Sequence, residues 1–299
     1  MMSAGPLPDI PKPSASGCPA VVRSGEVLLA AETFGSPSDP ALVLVMGATA
    51  SMMWWPEELC RALAARGFHV VRYDHRDTGR STNGMPDYSV EEMMQDLVAV
   101  LDHYRIERVH LIGTSLGALI CQMVALSFPQ RVRSLTLIAA EPLGWTGPDL
   151  PGMAPEVSAH FGRLATLDWT SRTAVADFML GVARLCAATS SAFDEKRERL
   201  RIEAEMDRAR EMRSAFNHSR IGLRGDWSGA IGRIGQPVLV IHGAEDPVVP
   251  IDNGRAIAST ARNARLLELS GVGHELPERA IVPIVEAIAD FVALTDPSN

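Results

Sequence analysis

The feature that most constrains this chain is a regular alternation of short apolar strands with helical stretches. Leu42-Val43-Leu44-Val45-Met46 is a continuous apolar run, the pattern of a strand buried on both faces. Strands are also predicted over 68–73, 109–112 and 134–139. Between the first two lies a helix over 57–66, with Leu59 and Leu63 on its apolar face and Gly67 as its stop. Ser89-Val90-Glu91-Glu92 has the form of a capping box and opens a helix to about Tyr104, with Met93, Leu97, Val100 and Leu101 facing inward. A helix over 116–128 is closed by Pro129. Strands and helices in this order predict the α/β class: a mainly parallel sheet with helices on both faces.

Segments 21–23 and 27–33 flank Ser24-Gly25 and read as a hairpin at the sheet edge. The alternation stops after Ala140, and no convincing strand occurs over 141–227. Within that stretch, 197–213 is dense in Arg and Glu and reads as a solvated helix face. Strands resume over 237–242 and 264–269, and a last helix runs over 281–294. The expected organisation is an α/β core over 20–140 and 228–296, interrupted by a helical cap or lid insertion over 141–227. Residues 1–19, rich in Pro, Ser and Gly, are expected to form a flexible arm without the apolar stretch of a secretory signal.

Charge and cysteine usage exclude several functions. The net charge is −8 with no basic cluster, which disfavours nucleic acid and anionic membranes as partners. No apolar run approaches the ~18 residues of a membrane span. Cys18, Cys60, Cys121 and Cys186 form neither a CxxC pair nor a Cys/His cluster. They predict no metal site, and they fit reduced thiols in a cytoplasmic protein.

Gly113-Thr114-Ser115-Leu116-Gly117 matches G-x-S-x-G and falls between a predicted strand and a predicted helix. In that setting the glycines relieve crowding around a strained serine, whose Oγ is presented above the sheet edge as a nucleophile. The Leu116 N–H lies at the helix N-terminus, where it can stabilise a developing oxyanion. A serine nucleophile needs a base, and the base needs an orienting carboxylate. Val238-Leu239-Val240-Ile241-His242-Gly243-Ala244-Glu245-Asp246 reads as strand, glycine turn and acid. Leu266-Leu267-Glu268-Leu269-Ser270-Gly271-Val272-Gly273-His274 reads as strand, glycines and histidine. The order nucleophile, acid, histidine makes Asp246 and His274 the partners of Ser115. Glu245 and Glu141 are rival acids. His75 lies in a loop that reads as a structural turn, with Asp and Arg bonding the backbone. The other histidines read as packing or surface residues. The second oxyanion donor is expected from Met46-Gly47-Ala48, with Ala48 N–H as the partner of Leu116 N–H.

These residues together resemble the α/β-hydrolase superfamily from Val21 to Leu294. Val45-Met46-Gly47, Arg72-Tyr73-Asp74-His75-Arg76-Asp77-Thr78-Gly79-Arg80-Ser81 and Gly271-Val272-Gly273-His274 are similar to the aclacinomycin methylesterase group. The resemblance implies an eight-stranded sheet and hydrolysis of carboxylic methyl esters of aromatic polyketides. Ala48 stands where that group carries a second glycine, a change a backbone donor tolerates. Substrate choice is written in the insertion, where the resemblance is weakest.

The expected reaction is ester hydrolysis through an acyl-enzyme on Ser115, with no cofactor and no metal. Met52, Trp54 and Trp55 after the oxyanion loop, with Trp145 at the start of the insertion, are expected to line a pocket for a small hydrophobic ester. A cofactor-free perhydrolase, an acyltransferase and a non-catalytic ligand-binding relative are the alternatives. A haloalkane dehalogenase is disfavoured, because that chemistry needs a carboxylate where Ser115 stands.

Overall fold

The alternating pattern closes into a single sheet in the computed structural model, which describes residues 18–84 and 87–295. The hairpin is β1 (Cys18–Ser24) and β2 (Val27–Phe34), antiparallel with Ser24 opposite Val27. The remaining strands are β3 (Ala41–Val45), β4 (His69–Tyr73), β5 (Val109–Thr114), β6 (Val132–Ile138), β7 (Val238–Gly243) and β8 (Ala264–Leu269). Their spatial order is β1-β2-β4-β3-β5-β6-β7-β8, and every pairing from β4 to β8 is parallel. The C-terminal ends of β3 and β5 to β8 therefore share one edge, where α/β sheets place their sites.

Helices cover both faces: α1 (Glu57–Ala65), α2 (Val90–His103), α3 (Leu116–Ser127), α7 (Ile251–Thr260) and α8 (Glu278–Thr295). Val43 and Val45 of β3 join the apolar cluster under α2, α3 and α7, while Leu42 and Leu44 join the one under α1 and α8. β7 divides in the same way, with Val238 and Val240 on one side and Leu239 and Ile241 on the other. This is why these strands read as continuous apolar runs and not as alternations. Ser89 caps α2 in a complete capping box with Glu92. Helix α7 has no counterpart in the sequence reading, since Asn253 and Gly254 interrupt its short apolar spacing.

Between β6 and β7 lie α4 (Pro155–Gly162), α5 (Arg172–Cys186) and α6 (Glu195–Arg208), and no strand among the described residues. They share an apolar cluster of their own, centred on Phe178, Met179, Ile202 and Phe216. β1 begins at Cys18, two residues inside the segment expected as an arm, and Cys18 and Pro19 pair with Thr33 and Glu32. The rest of that segment, 1–17, lies outside the described residues. Among the described residues, no helix is long and apolar enough to cross a membrane.

Candidate active site

Ser115 occupies the turn between β5 and α3 with φ 51° and ψ −121°. A non-glycine residue in this region carries strain of about 1–3 kcal/mol, and such strain collects at functional sites. Crowding explains the flanking glycines. A Cβ on Gly113 would lie 2.4 Å from the Gly117 carbonyl, and one on Gly117 would lie 2.1 Å from the Val45 carbonyl. The turn is tied to the sheet by Ser115 N–H, which donates to Ile138 O at 3.0 Å. Leu116 opens α3, so its N–H is one of the first-turn donors that no helical carbonyl satisfies. The loop after β3 comes up against the same turn: a Cβ on Gly47 would be 3.3 Å from Ser115 Cβ.

Asp246 follows β7 and His274 follows β8. His274 Nδ1 donates to Asp246 Oδ2 at 2.8 Å, while Asp246 Oδ1 accepts the N–H groups of Val248 at 2.9 Å and Val249 at 2.8 Å. Asp246 is 6% exposed. Burial pushes its carboxyl up, but the facing His274 and the hydrogen bonds outweigh this and hold it well below the usual carboxylate range. The ionised acid keeps the His274 proton on Nδ1 and leaves Nε2 as a base. His274 N–H donates to Cys186 O at 2.7 Å, so the end of α5 also holds the histidine loop.

The carboxylate that bonds to His274 is that of Asp246 and not of a rival acid. Glu245 accepts from Ser190 N–H at 3.1 Å and Thr189 Oγ1 at 3.2 Å. Glu141 is exposed, and its carbonyl accepts from Gln122 Nε2 at 2.9 Å. His75 is fully buried and donates from Nε2 to Met46 O at 2.8 Å.

The loop carrying Ala48 is braced from below and from the insertion. Asp74 accepts Met52 N–H at 2.9 Å through one oxygen and Arg80 N–H at 2.9 Å through the other. Arg208 of α6 pairs with Asp74 at 2.7 Å, and Ser51 Oγ donates to Glu205 of the same helix. Glu205 is only 3% exposed. The charged run at 197–213 is thus not only a solvated face: one side of α6 docks on the loop beside the site. His218 reaches the loop too, through Thr49 N–H. Sequence offers no signal for Glu205, Arg208 or His218 here, because their partners lie 134 to 169 residues away.

Ser115, His274, Gly47 and Ala48 line a cavity of about 1120 Å³, which Phe161, Met179 and Val182 of the insertion line as well. Trp54 lines it as well, with the Arg201 guanidinium carbon 3.7 Å from its ring centroid. The other three expected pocket residues do not. Met52 is buried, Trp55 is fully buried in the cluster under α1 and α8, and Trp145 packs beside the opposite cluster, donating to Pro148 O at 2.7 Å. Met52–Trp54 forms a single 3₁₀ turn, so its successive side chains point in different directions and only part of the Met-Met-Trp-Trp run reaches the cavity. No three His, Cys, Asp or Glu side chains among the described residues are grouped to hold a metal ion.

Residues 40–279 match the family described as alpha/beta hydrolase fold. The chain is 30% identical over 285 residues to the rhodomycin D methylesterase of Streptomyces peucetius, covering 90% of this chain and 96% of that one. It is 31% identical over 291 residues to the rhodomycin D methylesterase of Streptomyces sp. (strain C5), with the same coverage. Among solved structures, a hydrolase from Pseudomonas aeruginosa PA01 superposes with a TM-score of 0.68 at 26% identity, over 94% of this chain and 99% of that one. With the family matched over most of its length and methylesterases among its relatives, the chain belongs to the alpha/beta hydrolase fold family and resembles its methylesterase group.

Proposed function

We propose that this protein is a serine esterase that cleaves a methyl or small alkyl ester of a hydrophobic, polycyclic aromatic carboxylic acid. The observation that carries the reading is the His274–Asp246 hydrogen bond of 2.8 Å, opening on a cavity that the strained Ser115 also lines. Ser115 Oγ attacks the ester carbonyl as its proton passes to His274 Nε2. Asp246 holds the imidazole tautomer and stabilises the imidazolium. The N–H groups of Leu116 and Ala48 receive the oxyanion. The imidazolium protonates the departing alkoxide, and water activated by the same histidine releases the acid.

The substrate class rests on the cavity and on the relatives. A volume of about 1120 Å³ lies just above the usual range of small-molecule sites, and Phe161, Met179, Val182 and Trp54 give it apolar and aromatic walls. Relatives at 30% and 31% identity are methylesterases of rhodomycin D. In this reading, segment 141–227 acts as a cap over the core formed by 20–140 and 228–296. Free thiols at Cys60, Cys121 and Cys186 support residence in the cytoplasm.

Ser115→Ala, assayed on p-nitrophenyl butyrate and on a polycyclic aromatic methyl ester, tests the proposal. Loss of both activities with an unchanged circular dichroism spectrum is expected. Retained hydrolysis by the variant rejects Ser115 as the nucleophile. A wild type that cleaves only short polar esters rejects the substrate class.

A further inference from the structure

The donor expected from the Ala48 loop belongs to the peptide joining Gly47 and Ala48. Each of the two peptides flanking it is held by a histidine. The Met46 carbonyl, on one side, accepts from His75 Nε2 at 2.8 Å. The Thr49 N–H, on the other, donates to His218 Nδ1 at 3.1 Å. His218 Nε2 in turn donates to Arg76 O at 2.9 Å. An N–H partner on Nδ1 and a carbonyl on Nε2 permit only one form of this ring: neutral, with its proton on Nε2. Both imidazoles are buried, and their ring centroids lie 5.9 Å apart, edge to face. Burial lowers the pKa of each, to about 3 for His75.

We propose that His75 and His218 are paired positioning residues that fix the Gly47–Ala48 peptide, and with it the Ala48 N–H, in the orientation that receives the oxyanion. With both neighbouring peptides held, the middle one can reverse only by counter-rotation about Gly47 ψ and Ala48 φ. Gly47 offers little resistance to this. Ala48 resists, because the reversal would carry its backbone from negative to positive φ. Thr49 already sits at φ 64°, and its N–H bond to His218 helps to hold that strained turn. His218 belongs to the short helix Ser214–Ser219, within the segment read as a cap, so the oxyanion donor is oriented only while that segment is docked. This inference rests on the serine esterase reading.

His218→Phe keeps the volume and removes both ring hydrogen bonds, while His218→Asn returns an acceptor near the Nδ1 position. With p-nitrophenyl butyrate, the Phe variant should lose ~10–100-fold in kcat with KM within ~2-fold, less than the ~100–1000-fold expected on deleting a donor outright. Its inhibition constant for a trifluoromethyl ketone, which forms a tetrahedral oxyanion on the serine, should rise by the same factor as kcat/KM falls. The Asn variant should recover most of the lost kcat. Unchanged kcat in His218→Phe overturns the proposal, as does a loss of kcat with unchanged ketone inhibition.

Ring-nitrogen NMR of the wild type supplies a second measurement that does not depend on how the variants fold. The side chains of Arg76, Asp77, Tyr88 and His75 face His218 or lie within its electrostatic reach. In that setting His218 should keep its proton on Nε2 from pH 5.5 to 8, and a ring that titrates within this range overturns the assignment. If Ser115→Ala is inactive while His218→Phe is fully active, only this inference falls. An active Ser115→Ala removes the reading beneath it.

Discussion

In the proposed esterase, Ser115 trades stability for chemistry. Its φ of 51° holds the side chain over the sheet edge, in a region where a residue with a Cβ is strained. Glycine at this position would relieve about 1–3 kcal/mol of strain, partly offset by about 0.5–1 kcal/mol of extra freedom in the unfolded chain. Ser115→Gly is therefore expected to be inactive and to melt a few degrees above the wild type in a thermal scan. A lower melting temperature would mean that the serine makes native contacts worth more than the strain it carries. The position of this residue is legible in sequence, because the flanking glycines and the strand-helix context are local. Asp246 and His274 are legible for the same reason: each follows a short apolar strand and a glycine-containing turn. Which of two adjacent acids faces the histidine is less local. Glu245 bonds to residues 189 and 190, and only packing of the insertion shows that this side of the turn is taken.

Helix α6 illustrates what an element hides. In sequence it is a run of Arg and Glu with a few apolar residues, and its outer face does carry solvated pairs such as Arg199 with Glu195. Its inner face buries Ile202 and Glu205, and Glu205 accepts from Ser51 in the loop that follows β3. Burial pushes the Glu205 carboxyl up to about 7, against the lowering effect of its Ser51 hydrogen bond. A folded-state pKa above the unfolded value means that the folded protein binds the extra proton. The stabilisation is complete below about pH 4.5 and is lost as pH rises through about 7. Its full size is on the order of 3 kcal/mol. Glu205→Gln, which is neutral at every pH, should flatten the decline in unfolding free energy between pH 5 and 8 measured in urea. An equally steep decline in the variant would assign the dependence to another group. A bare carboxylate on an amphipathic helix reads as solvent-facing, and only the docked partner reverses that expectation.

For the whole molecule, the decisive contact is between the sheet edge and segment 141–227, since the cavity has walls from both. Filling it from the insertion side should separate substrates by size while leaving the chemistry intact. Val182→Trp is expected to lower kcat/KM for a polycyclic methyl ester by about 10-fold or more, and to change that for p-nitrophenyl acetate by less than about 2-fold. Equal losses on both esters would mean that the large substrate does not reach this wall. Sequence by itself determined the α/β class, the parallel core strands and the places along the chain where Ser115, Asp246 and His274 fall: after a strand and within a glycine-containing turn. The period of the apolar residues and the glycine turns are properties of neighbours along the chain. Only the tertiary structure decided which of Met52, Trp54, Trp55 and Trp145 faces the cavity, that Glu205 and Arg208 turn inward, and that His218 grips Thr49. Those outcomes depend on contacts between segments more than a hundred residues apart, or on which side of a single turn a side chain leaves. No local periodicity encodes either.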